Sequence, residues 1–178
     1  MSGTAPRENT EIERRFVVML KDGFDVEALA DQQIPICQGY FTKTPPAVRI
    51  RRYDKMYIVT FKNGSGMVRT EVEIDVADPV DGRLLLEMCE HKIEKTRYRF
   101  GRWELDIFEG PFEGLVILEI ELMNESETLP ELPSFVTLVK EVTDSPETYS
   151  NQILAFLDAD GIERMLMAAY ADPTPAPA

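Results

Sequence analysis

Charged side chains that recur at every second position are the residues of this sequence best suited to chemistry. Glu11, Glu13 and Arg15 form one such run. Arg49 with Arg51, Thr60 with Lys62, Arg69 with Glu71 and Glu73, Lys95 with Arg97 and Arg99, Glu104 with Asp106, and Glu119 with Glu121 form the others. In a strand, residues i and i+2 share a face, so each run is one ionic surface. Carboxylates so placed converge on a hard divalent cation, and Mg²⁺ takes a few such oxygens together with waters and substrate phosphate. Arginine and lysine on opposing walls fork onto phosphate oxygens, arginine bidentately. Both signs together suit phosphoryl transfer, where catalysis is mostly positioning and charge neutralisation. No nucleophile pattern surrounds Cys37, Cys89 or His91, and His91, the single histidine, reads as a solvent-exposed residue.

The elements that must position these runs are strands. Period-two patterning predicts Glu11–Val18, Ala47–Tyr53, Met56–Lys62, Val68–Val76, Glu94–Phe100, Trp103–Phe108 and Leu115–Met123, with a further extended piece at Gln38–Phe41. Turn signals at Asn63–Gly66, Gly101 and Gly110-Pro111 separate several of them. Three helices are expected. A short one at Asp25–Gln33 is capped by Asp25, and a second opens at Asp78-Pro79 with Leu84, Leu85, Met88 and Cys89 as its apolar face. The third opens at Asp144–Glu147 with capping-box spacing, carries Tyr149, Ile153, Leu154, Phe156 and Leu157, and is interrupted or ended by Gly161. Strands followed by neighbouring strands give an α+β class with an antiparallel sheet. One strand with an ionic face is an ordinary half-exposed strand. Seven whose polar face is almost wholly ionic fit a closed barrel with the charges inward. The apolar outer wall is then covered in part by the helices. Lumen groups of both signs can pair with one another, which a lumen of one sign cannot do.

A chain of 178 residues with 44% hydrophobic content is large enough for a single core without disulfides. Cys37 and Cys89 read as buried or semi-buried thiols in a reducing cytoplasm. No apolar run reaches spanning length and no secretory signal is visible, so no membrane association is expected. The net charge of −13 argues against a nucleic-acid partner. It does not exclude a phosphorylated ligand, because basic residues cluster at Arg49–Arg52 and Lys92–Arg102 whereas acids crowd Glu119–Glu147. Residues 1–10 read as a flexible N-terminus, 11–170 as one domain and 171–178 as a disordered Pro/Ala tail.

Taken in order, the motifs resemble the CYTH, or triphosphate-tunnel metalloenzyme, superfamily. Glu11-Ile12-Glu13-Arg14-Arg15-Phe16 is similar to its N-terminal Glu-x-Glu-x-Lys signature, with Arg15 in place of the final lysine. Gln38-Gly39-Tyr40, Val48–Arg51, Thr60-Phe61-Lys62, Arg69–Glu73, Glu94–Tyr98, Glu104–Phe108, Glu119-Ile120-Glu121, Glu141-Val142-Thr143 and Tyr149-Ser150-Asn151 follow in the order of its compact bacterial members. The resemblance implies a tunnel domain that hydrolyses a triphosphate, inorganic tripolyphosphate foremost, by metal-activated water with Mg²⁺ or Mn²⁺ as cofactor. It implies Glu11, Glu13, Glu119 and Glu121 as metal ligands. Asp106 becomes either a further ligand or an acceptor that orients a water. Arg15, Arg49, Arg51, Lys62, Arg69, Lys95 and Arg97 become phosphate contacts, and Glu13, Asp106 and Lys95 the catalytic centre. Other chemistries of the superfamily are adenylyl cyclisation and thiamine triphosphate hydrolysis, and a triphosphate- or polyphosphate-binding module without turnover is an alternative of another class. Trp103 and the apolar strand faces leave room for a homodimer.

Overall fold

The computed structural model of the chain describes residues 7–44, 46–63 and 68–171, and of residues 7–11, 68, 69, 146 and 147 the backbone alone. Its strands are β1 (Arg7–Leu20), β2 (Gln32–Tyr40), β3 (Ala47–Tyr53), β4 (Met56–Asn63), β5 (Val68–Val76), β6 (His91–Phe100), β7 (Trp103–Phe108), β8 (Val116–Glu121) and β9 (Val136–Glu141). They pair in the order β5-β4-β3-β2-β6-β7-β8-β1-β9, every pairing antiparallel. A further pairing joins β5 to the first half of β1, with Arg7 opposite Glu73 and Ile12 opposite Val68. The circuit of eight strands therefore returns to its start. This is the α+β antiparallel barrel expected from the alternation, since a sheet paired with itself leaves no edge exposed.

Several boundaries differ from the expected ones, each for a tertiary reason. β1 begins at Arg7 rather than Glu11, inside the segment read as a tail, because those residues complete the circuit against β5. β9 was not anticipated; it pairs with the second half of β1 across a bulge between Val17 and Val18. The first helix is only α1 (Val26–Leu29), capped by Asp25 as expected, and Gln32 and Gln33 belong to β2. The turn residues Gly64–Gly66, and the remainder of both tails, lie outside the described residues.

Cover for the barrel comes from three sources. Helix α2 (Pro79–Met88) lies on the outer face of β3, β4 and β5, where Leu86 and Cys89 bury against Cys37 and Ile50. Leu84 and Met88, expected on that buried face, are exposed, because the helix turns Gly82 and Leu86 inward instead. The outer wall of β1, β7 and β8 is covered by the segment between β8 and β9 rather than by a helix. Phe135 packs with Phe16, Val18, Trp103, Leu105, Leu118 and Ile120, and Trp103 Nε1 donates to Glu131 O at 3.0 Å. Trp103 is therefore an internal wall residue and offers nothing to a homodimer contact. Each such aliphatic side chain fully withdrawn from water contributes about 1.5–3 kcal/mol.

The expected third helix is three: α3 (Pro146–Tyr149), α4 (Asn151–Ala155) and α5 (Ala159–Tyr170). Ser150 and Asp158 cap the last two, and Gly161 lies in the first turn of α5, donating its amide to Asp158 Oδ1 rather than ending a helix. α4 and α5 do not cover the wall. They pack with Val17, Tyr40, Ile93, Phe108 and Ile117 in one apolar cluster at an end of the barrel. Cys37 and Cys89 are buried free thiols, as expected. Among the described residues no helix is long and apolar enough to cross a membrane.

α2 can lie flush on the sheet because β2 carries glycine at position 39. A Cβ there would lie 2.7 Å from Cys89 Sγ and closer still to Cys89 Cβ. Gly39→Ala is expected to lower stability by about 1–3 kcal/mol through forced displacement of the helix, measured as a reduced urea midpoint at unchanged m-value.

Candidate active site

The register assigns the inner face of each strand without ambiguity. Glu13 stands opposite Glu121 and Arg15 opposite Glu119 across β1 and β8. Glu119 faces Glu104 on β7, Glu104 faces Arg99 on β6, and Asp106 faces Arg97. Lys95 faces Ile36 and Ile93 faces Gln38 on β2; Gln38 then faces Arg51, and Tyr40 faces Arg49, on β3. Arg49 faces Thr60, and Thr60 faces Glu73, to complete the ring through β4 and β5. Directly opposed residues of antiparallel strands project to the same side, so these groups form successive rings around one lumen. Val17, Ile117, Ile93, Tyr40 and Phe108 continue the same inner faces into the apolar cluster under α4 and α5. The charged lumen is thus closed at that end.

Above this floor lies a cavity of about 900 Å³. Arg15, Arg49, Arg51, Lys62, Lys95, Arg97, Arg99 and Arg102 line it, against the acids Glu13, Glu73, Asp75, Glu104, Glu119 and Glu121. Among the described residues that line it cations are more numerous, in a chain whose net charge is −13, and the buried acids Glu71 and Asp106 pair with Lys62, Lys95 and Arg97 from just outside the lining. Charges of opposite sign are paired in two groups. On one wall Arg97 Nε donates to Asp106 Oδ1 at 2.6 Å and Nη2 to Glu119 Oε2 at 2.6 Å, Lys95 pairs with Asp106, and Arg15 Nε bridges Glu13 and Glu119 at 2.9 and 2.7 Å. On the other, Lys62 pairs with Glu71, Arg51 lies 3.4 Å from Glu73, and Arg49 lies 3.9 Å from both Glu71 and Glu73.

The two groups differ in how well the cations are satisfied. Burial opposes the charge on Arg15, but Glu13 and Glu119 outweigh it and hold the guanidinium above its ordinary range. Burial would raise Glu119, yet Arg15, Arg97 and Lys95 hold it well below the usual carboxylate range. Burial lowers Lys95 despite Asp106 beside it. Arg51 is the opposite case: burial, then Arg49 and Arg97, push it down to about 10 against weaker help from Glu73 and Glu71. The Nε atoms of Arg49 and Arg51 are buried with no hydrogen-bond partner among the described residues. An unpaired buried donor on a cation is costly, and an anion in the lumen would supply what both lack.

A polyanion-shaped deficit inside an eight-strand circuit agrees with what the chain resembles. The model of the CYTH domain matches residues 9–146. An inorganic triphosphatase of Nitrosomonas europaea is 32% identical over 82% of this chain and 97% of its own length. An inorganic triphosphatase of Acetivibrio thermocellus is 34% identical over 81% of this chain and 92% of its own length. The chain belongs to the CYTH-domain family. A solved crystal structure of an inorganic triphosphatase, 29% identical and covering 83% of this chain and 95% of its own, superposes with a TM-score of 0.55. CYTH triphosphatases are metal-dependent as a family.

Within this CYTH barrel the residues singled out by sequence fall in three places. Glu13, Arg15, Arg49, Arg51, Lys62, Lys95, Arg97, Glu119 and Glu121 all line the cavity. Asp106 does not: it is on the inner face but fully buried next to the apolar floor, with its oxygens engaged by Lys95 and Arg97. Glu11 and Arg69 are register partners on β1 and β5, and their side chains lie outside the described residues. The sequence assigns Arg102 no role, and Gln38, Asn151 and Arg99, which stand there only within motifs or an ionic run, line the cavity as well. Gln38 and Arg99 carry the same i, i+2 signal as their neighbours Tyr40 and Arg97. Asn151 enters from α4 and is visible only through the tertiary structure. His91 is exposed, its ring 4.0 Å from that of Phe156. Glu13, Glu119 and Glu121 stand on two adjacent strands, and carboxylate oxygens are the donor type that a hard divalent cation takes.

Proposed function

We propose that the chain hydrolyses inorganic triphosphate with Mg²⁺ or Mn²⁺ in this lumen. The observation that carries the reading is the pair of buried guanidinium donors, Nε of Arg49 and of Arg51, that find no partner among the described residues, in a dead-ended cavity rich in carboxylates at its opposite wall. Glu13, Glu119 and Glu121, with Glu11 on the same strand, would hold the cation. When bound, it supplies Lewis acidity toward phosphate oxygens. Arg49, Arg51 and Lys62 on β3 and β4 grip the phosphates from the facing wall, joined by Lys95, Arg97 and Arg69. Arg97 and Lys95 are held in place by Asp106, which acts as a positioning residue because both its oxygens are engaged by these two cations. The apolar floor keeps bulk water from that end, which strengthens each charge contact above it. Two unpaired thiols suit a reducing cytoplasm.

Phosphate release from tripolyphosphate, compared with ATP and thiamine triphosphate and with cyclic AMP formation, tests the reading. Tripolyphosphate should be turned over fastest and no cyclic product should form. Glu121 lies exposed at the mouth, so Glu121→Gln leaves the fold intact. The variant is expected to lose about a hundredfold in kcat/KM, the size of effect seen when one charge-stabilising contact is removed. Near-normal turnover would remove β8 from the metal assignment.

A further inference from the structure

Arg15 lies among the carboxylates that the proposed reaction assigns to metal. Its Nε donates to Glu13 Oε1 at 2.9 Å and to Glu119 Oε1 at 2.7 Å, and its Nη2 reaches Glu13 Oε2 at 3.3 Å. Arg97 Nη2 takes the remaining oxygen of Glu119 at 2.6 Å. Both oxygens of each carboxylate are therefore engaged by guanidinium groups. Among the described residues no three Asp, Glu, His or Cys side chains converge as a cation site. In the register Arg15 stands directly opposite Glu119, one step along β1 from the Glu13–Glu121 pair, and its guanidinium reaches both Glu119 and Glu13 at once. A lysine ammonium at the same position is a compact point charge with no planar fork.

We propose that Arg15 is an internal counter-cation that holds the metal carboxylates closed, so that divalent ion and triphosphate enter the lumen together. The proposal rests on the metal assignment above and concerns how that site is filled. With its side chain only 11% exposed, Arg15 offsets the penalty of leaving Glu13 and Glu119 bare when the lumen is empty. A divalent ion arriving alone must take those oxygens from Arg15 and leave a buried guanidinium beside a double positive charge. A triphosphate arriving with the ion gives the released guanidinium phosphate oxygens to bind. Metal and triphosphate then strengthen each other's binding by one common factor, because coupling between two ligands is reciprocal.

Mn²⁺ titrated into the metal-free protein, with the free ion read by electron paramagnetic resonance, tests this without turnover. Arg15→Gln is expected to bind Mn²⁺ about tenfold more tightly than wild type, with Arg15→Lys between them. The imido analogue of tripolyphosphate should tighten Mn²⁺ binding by wild type about tenfold, and that of Arg15→Gln by much less. Equal or weaker Mn²⁺ binding by a folded Arg15→Gln protein overturns the proposal. Should that variant fail to fold, by circular dichroism, Arg15→Lys keeps the charge and decides by the same comparison with wild type. Tripolyphosphate turnover by wild type is scored separately: its absence would overturn the hydrolase reading, while the affinity ratio would still judge Arg15.

Discussion

Arg97→Met is expected to destabilise the chain by about 3–5 kcal/mol, the range measured when one partner of a buried ion pair is removed. Whole domains are stable by only about 5–15 kcal/mol, so the variant should be largely unfolded in mild urea and inactive. The size follows from what Arg97 holds. Its three nitrogens engage both oxygens of Asp106, one of Glu119 and one of Glu104. Asp106 has no exposed surface and Glu119 very little. Methionine fills the space and leaves these carboxylates to Lys95 and Arg15, which already serve Asp106 and Glu13.

The pH dependence of the same variant separates lost charge pairing from lost packing. In wild type, burial opposes ionisation of Glu119, but Arg15, Arg97 and Lys95 hold its pKa well below the ordinary 4.5. A depressed carboxyl contributes stability that is present above 4.5 and is lost as pH falls toward the folded-state value. Without Arg97 that contribution shrinks and protonation relieves the unpaired charge. The stability difference between wild type and Arg97→Met, from urea melts, should therefore narrow as pH falls through that window. A difference constant from neutral pH to acid would mean that packing, not charge, sets the loss.

How far the sequence reaches into this structure follows from which features are local. Period-two alternation gave Ala47–Tyr53, Val68–Val76 and Trp103–Phe108 to the residue, because turns such as Gly101, at φ +58°, bound them sharply. The same alternation put nearly every lumen charge on the correct face, since a strand's two faces are fixed by its own pleat. What covers the outer face was not legible. Leu129, Leu132 and Phe135 lie in a stretch without periodicity, and only the exposed wall of β7 and β8 explains their burial. β9 was lost likewise: Val136–Glu141 is short, and its strand identity comes from the free edge of β1. At the site, residue type shows that Asp106 is acidic and inward but not that Lys95 and Arg97 enclose it. That distinction arises from its row, next to the apolar floor, and rows are a property of the closed barrel.

Arg51→Met should bind tripolyphosphate at least about thirtyfold more weakly, yet give a more stable empty protein. The first effect is the loss of a charge-assisted hydrogen-bond donor facing the phosphates, about 2–3 kcal/mol. The second follows from how poorly Arg51 is accommodated when nothing is bound. Burial, Arg49 and Arg97 lower it to about 10, and its Nε finds no partner among the described residues. A base whose folded pKa lies below its ordinary value opposes folding at every pH below about 10. That penalty is relieved only as pH climbs above about 10 toward the ordinary arginine value, so at neutral pH it is fully present. Removing the charge should gain on the order of 1 kcal/mol, less than the shift alone implies because Arg51 is partly solvated and Glu73 loses one of the two cations that face it among the described residues. Glu73 keeps Arg49, and it is itself a quarter exposed, so it is not stranded as Asp106 is by loss of Arg97. Thermal melts with and without tripolyphosphate read both effects in one experiment. Wild type should melt lower when empty and rise further with ligand, whereas Arg51→Met should start higher and respond weakly. An empty Arg51→Met protein less stable than wild type would mean that Glu73 satisfies Arg51 in the empty lumen. The unsatisfied guanidinium groups of that wall would then no longer account for the proposed binding of a polyanion there.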